Sequence, residues 1–243
     1  MKKNILLSAL FLFCLTTQVS FAQTKIDSTE ISSAVPELSA FHKIIYPLWH
    51  KAYPAKDMVA FKALVPQIQA YMVKINQAKL SGILREKQEQ WNNKLKDFNV
   101  AAENYYKACD ANDESATLLA AEKIHSSYEQ MNRVVKPAVK EMDEYHQSLY
   151  VIFHKLNPAK QYNEIAKEMD NFITKADAIT NYPQEKLTKR LGDKTSAFYA
   201  NAKELYTATV TLKQVIAEKS STQIDAALQN VHHLYQKLDA LFK

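Results

Sequence analysis

The sequence predicts an all-α protein made of two tandem four-helix bundles that arose by internal duplication. Three observations carry that expectation. Only two glycines, Gly82 and Gly192, occur in 243 residues, too few for hairpins, phosphate loops or a dinucleotide fingerprint. Apolar residues recur at three- and four-residue steps through long segments bounded by proline and turn-forming residues. Finally, Glu37 to Lys56 is echoed by Glu141 to Lys160, 104 positions later, with eight of twenty positions identical.

The first helix, from Glu37 to about Tyr53, presents Leu38, His42, Ile45, Tyr46, Trp49 and Tyr53 as its expected inner face. Pro47 interrupts it, and Pro54 suits the first turn of the next helix. The second helix spans about Ala55 to Ala78, with a stripe of Phe61, Leu64, Ile68, Tyr71, Met72 and Ile75. After the Leu80-Ser81-Gly82 turn, a third helix runs from Ile83 to Ala111 with Trp91, Leu95, Phe98, Ala102 and Tyr105 inward. Asp113 caps a fourth, whose inward row is Leu118, Ala121, His125 and Tyr128.

The second half follows the same plan, with helices from Pro137, Pro158, the Asn181-Tyr182-Pro183 turn and the Ser220-Ser221-Thr222 cap. Its equivalences pair Phe98 with Tyr199, Tyr105 with Tyr206, His125 with His232, Tyr128 with Tyr235 and Cys109 with Val210. A period of about 100 residues is too long for helical solenoids and suits a duplicated four-helix bundle.

Four segments result. Residues 1–22 read as a signal peptide: Lys2 and Lys3, an apolar run from Ile5 to Leu15, then Val19-Ser20-Phe21-Ala22 for cleavage near Ala22. This implies a periplasmic or secreted protein, and the run is too short to span a bilayer. Residues 23–35 are polar and aperiodic, the pattern of a flexible leader. The bundles then occupy 36–135 and 136–243. Once the signal is removed Cys109 is the only cysteine, so an apolar core must hold the chain without disulfides. The net charge of +5, less the two signal lysines, leaves +3 with no basic stripe, which argues against nucleic acid.

Six of the seven histidines form repeat pairs: 42/146, 50/154 and 125/232. In an up-down bundle the first and fourth helices are antiparallel neighbours, so His42, Tyr46 and His125 are expected at one height on inward faces. His146, Tyr150 and His232 are expected to match them. His42 and His50 lie about 12 Å apart along a regular helix and are turned by roughly 80°, so they cannot share one ion directly. His50 and His154 would sit at the edge of each site. Imidazole in these pairs suits zinc, copper or nickel, for storage, buffering, sensing or delivery. Tyr46 and Tyr150 are expected as phenolate ligands or aromatic walls. The same side chains also serve as hydrogen-bonded packing groups in a metal-free bundle.

No His-x-x-x-His or His-Glu-x-x-His motif is present, and Glu122 with His125 gives the di-iron Glu-x-x-His spacing only once, where the family motif requires two. The topology resembles that of the exported, soluble b-type cytochromes of the four-helix class. That resemblance implies haem b within a bundle, with His42 and His125 as axial ligands and Trp49 and Phe98 lining the pocket. The chain departs from covalent cytochromes in lacking Cys-x-x-Cys-His. A third reading is a metal-free interaction module for another envelope protein. No nucleophile–base arrangement stands out, so catalysis is not expected.

Overall fold

The computed structural model describes residues 27–218 and 221–242, and among these all regular secondary structure is helical. Residues 1–22, expected to be a signal peptide, and residues 23–26 lie outside the described residues. Ten α-helices follow in chain order: α1 (Pro36–Pro47), α2 (Tyr53–Ala55), α3 (Met58–Gln77), α4 (Gln88–Asp110), α5 (Glu114–Val135), α6 (Lys140–Val151), α7 (Tyr162–Thr180), α8 (Gln184–Leu191), α9 (Thr195–Glu218) and α10 (Ser221–Asp239). No described helix is long and apolar enough to cross a membrane.

Helix boundaries follow local chemistry. The carboxylates of Asp57 and Asp113 each accept a hydrogen bond at 2.9 Å from the backbone N–H three residues on, satisfying an otherwise orphaned donor of α3 and α5. Lys136 precedes Pro137 and is held extended at ψ 132°, which ends α5 and sets up the short link to α6. The expected third helix of the second half is broken. Gly192 adopts φ 51° after α8, a conformation closed to most side chains, and the chain re-enters a helix at Thr195.

In the first half α1 packs on α3, α3 on α4, and α4 on α5; in the second, α6 packs on α7, α7 on α9, and α9 on α10. The buried positions recur between them. Leu38, Phe41, Ile45, Leu48 and Ala52 match Met142, Tyr145, Leu149, Ile152 and Leu156 at a shift of 104. Phe61, Ile68, Met72 and Ile75 match Ile165, Phe172, Ala176 and Ile179 at the same shift. In α5 and α10, Ala121, Ile124, Tyr128 and Met131 match Leu228, Val231, Tyr235 and Leu238 at 107.

Burial corrects one register. Phe198 and Leu205 are fully buried whereas Tyr199 and Tyr206 are only half-buried, so α4 and α9 align at a shift of 100. Phe98 therefore corresponds to Phe198, Tyr105 to Leu205 and Cys109 to Thr209. The expected pairs of Phe98 with Tyr199, Tyr105 with Tyr206 and Cys109 with Val210 are thus one residue out of register.

Both long N-terminal helices carry the same defect. Leu48–Ala52 and Ile152–Leu156 are π-helical turns, again 104 apart, and Lys56 and Lys160 end the segments in the left-handed region at φ 49° and 53°. Pro47 precedes only the first of them, with Val151 at the matching position, so proline is not their cause.

The halves are also tied together. The 3₁₀ turn Gly82–Lys87, between α3 and α4, packs against α6. The expected flexible leader is pinned from Glu30 onward: the Glu30 carbonyl accepts from Ile83 N at 2.9 Å, its carboxylate pairs with Lys155 at 2.6 Å, and Val35 is buried. Its polarity is used in these bonds rather than in solvation. The buried apolar residues form one cluster running through both halves.

Candidate metal centre

A π turn carries one histidine in each half, His50 in the first and His154 in the second. In a regular helix eight residues turn by about 80° in excess of two full turns. A π turn acts as a one-residue insertion and removes about 100° of that winding. His42, Tyr46 and His50 follow at four-residue steps, and Tyr46 contacts His42 at 5.7 Å and His50 at 4.6 Å between ring centroids. The row does not face the core. The buried stripe of α1 is Leu38, Phe41, Ile44 and Ile45, while His42, Tyr46 and His50 are exposed, Tyr46 by 48%.

This corrects the expected inner face. The aliphatic residues and Phe41 gain more from burial than an imidazole or a phenol that must keep a polar partner, so the helix is rotated toward them. His125, half-buried on α5, meets Trp49 rather than His42: the rings stack at 4.2 Å and 6°. Burial pushes its pKa down, and nearby His50 pushes it further. His42 instead approaches Tyr128 at 6.4 Å. Phe98 is sealed in the core against Phe41, whereas His42 is exposed.

In the second half the same contacts recur, Phe153 replacing Trp49. Its ring stacks on His232 at 4.5 Å and 12°, and Tyr150 contacts His154 at 5.1 Å. Here, however, the row is covered. The 3₁₀ turn from the first half brings Arg85 onto Tyr150, donating to the phenol oxygen at 2.7 Å, and onto His154 Nδ1 at 3.1 Å. Tyr150 is accordingly 2% exposed. Glu86, the next residue, meets His232 Nε2 through Oε1 at 2.8 Å and accepts from Gln236 through Oε2 at 2.9 Å.

Glu86, His154 and His232 thus offer three ligand atoms within 4.8 Å of one another. The hydrogen bond from His232 holds the Glu86 carboxyl down at about 2 against the desolvation that opposes ionisation. Burial pushes His154 down to about 4, helped by the guanidinium of Arg85 and by His232. At neutral pH the site therefore presents a carboxylate and an unprotonated imidazole at His154, the forms that bind a cation.

The expected partner of His232 was His146. That residue is half-buried about two turns before His154, stacked on Tyr235 at 4.5 Å and 18°, and it does not join the cluster. Burial pushes it down to about 4. The pair that forms is His154 with His232, ring centroids 6.0 Å apart at 86°. Arg85 and Glu86 were missed because neither recurs: at the shift of 100 that aligns these segments the second half has Glu185 and Lys186. The one available signal was the rare glycine nearby, Gly82. Comparison with family models, curated proteins and solved structures returned no match.

Proposed function

We propose that this chain is a pair of tandem four-helix bundles, descended from one duplicated unit, that binds a transition metal through paired interhelical histidines. Zinc, copper and nickel fit the two-imidazole, one-carboxylate donor set, which leaves a fourth position for water or an exchanging ligand. The convergence of Glu86, His154 and His232 carries this reading. An ion with bonds of ~2.1 Å draws its donors to about 3.4 Å apart, so small side-chain rotations close the site. Such a site is open to exchange, which suits storage, buffering, sensing or delivery in an exported protein better than catalysis. The duplication is supported by the matched burial registers and by the paired π turns.

The test is metal titration with elemental analysis of the untagged mature protein. One tightly held equivalent is expected, with His154→Ala or His232→Ala weakening it at least about 100-fold. Arg85→Ala should tighten it, since the guanidinium competes for the His154 Nδ1 lone pair. Unchanged binding in the double variant H154A/H232A sinks the assignment. A second reading, a metal-free module that docks an envelope protein, is favoured by the exposed His42–Tyr46–His50 row. It is the row that Gly82–Lys87 covers in the other half. That reading predicts no retained metal and a partner footprint on α1.

A further inference from the structure

We propose that the cavity where the two halves meet, beside Pro137, binds a small multivalent oxyanion of the phosphate type. The cavity measures about 800 Å³, the size of site that takes a sugar phosphate or a nucleotide. Six cations line it: Lys87, Lys94, Arg133, Lys136, Arg190 and Lys194. Among the described residues two carboxylates, Glu129 and Asp239, face them. Across the whole chain 31 basic side chains are nearly balanced by 26 acidic ones, so this imbalance is local.

The cations come from separate elements of both halves: the 3₁₀ turn and α4, the end of α5, and α8 with the turn after it. Half of them are committed. Lys87 pairs with Asp239 at 2.5 Å, Arg190 donates to the Ala138 carbonyl, and Lys194 reaches the Leu241 carbonyl at 3.4 Å. Lys94 makes only a 3.4 Å surface pair with Asp97. Arg133 and Lys136 have no side-chain hydrogen bond or ion pair among the described residues. The C-terminus of α5 supplies roughly half a negative charge beside them, which falls well short of balancing the group.

An oxyanion with several charges satisfies what remains. Arg133 offers the planar fork that matches two phosphate oxygens, while Lys94 and Lys136 act as mobile point charges. Phe242, over which the Arg190 guanidinium sits at 5.6 Å, and Pro137 give the cavity an apolar wall. This site shares no side chain with the proposed metal centre, although Lys87 directly follows Glu86.

The experiment is calorimetric titration of the full mature protein with pyrophosphate and with inorganic phosphate at low salt. Sedimentation with phosphatidylglycerol–phosphatidylcholine vesicles runs in parallel. Expected are one pyrophosphate site, bound more tightly than phosphate, and a loss of about 100-fold in R133Q/K136Q, tenfold for each charge-assisted contact. Both residues are exposed, so the variant keeps its fold; metal binding should be unchanged in it. The control K107Q/K123Q removes the same charge elsewhere and should bind as the parent does. Absence of pyrophosphate binding overturns the proposal. So does an equal loss in both variants, which would mean diffuse charge, or vesicle binding without pyrophosphate binding, which would mean a membrane-surface patch.

Discussion

Tyr150 lies so close to Gly82 that a Cβ there would meet its hydroxyl and come within 2.7 Å of ring carbon Cζ. The requirement is for space, since Gly82 has no left-handed backbone to accommodate. The phenol cannot swing away readily, being buried and held by Arg85. Gly82→Ala should therefore destabilise the protein by about 1–3 kcal/mol through overpacking. Urea unfolding reads this directly, and an unshifted midpoint would show that the ring moves freely. The histidine pairs were legible from repetition, but the identity of the meeting pair was not. It depends on Arg85 and Glu86, contributed by the other half of the chain and unrepeated.

At the scale of the element, the π turns and the helix ends after them set the geometry. Leu-Trp-His-Lys-Ala and Ile-Phe-His-Lys-Leu carry no local mark of an extra residue in the turn. Periodicity assumes 3.6 residues throughout, so it turns His50 by roughly 80° from His42, to the edge of the stripe. The helix ends were partly readable: Asp113 caps α5 as its residue type implies, but Pro54 and Pro158 do not open the next helices, which begin only after the left-handed Lys56 and Lys160, at Met58 and Tyr162. Lys56 and Lys160 hold left-handed conformations that cost an L-residue about 1 kcal/mol or more. Glycine removes that strain but gains freedom in the unfolded chain. Lys160→Gly should thus stabilise by about 0.5–1 kcal/mol, read as a higher urea midpoint at constant slope. A lower midpoint would mean that the lysine side chain contributes more than its backbone costs.

For the molecule as a whole, the leader, the Gly82–Lys87 turn and the Lys87–Asp239 pair join the halves. Stability should then depend on pH through groups at that joint. His146 is held near 4 by burial, below its ordinary value of 6.5. As pH falls through 6.5 the unfolded chain takes up a proton that the folded chain refuses until about 4, so stability present at neutrality is lost across that window. The loss is on the order of 3 kcal/mol. Glu86, depressed to about 2, adds a further loss from its ordinary 4.5 downward. Thermal melting between pH 7 and pH 4 should show the first limb, and His146→Gln should flatten it. An unflattened limb assigns the acid sensitivity to other groups, His154 first among them.

By itself the sequence determined that the described chain is helical, where most helices begin and end, and which residues recur. These follow from local rules: too little glycine for other folds, apolar spacing, caps and prolines. Only the tertiary structure decided the rotation of α1, which buries Phe41 and leaves His42 and Tyr46 exposed, because competing apolar stripes on one helix are resolved by what packs against them. It likewise decided that Glu86 meets His154 and His232. That contact joins residues up to 146 positions apart in sequence, and its geometry depends on a winding defect and an interface that no local pattern encodes.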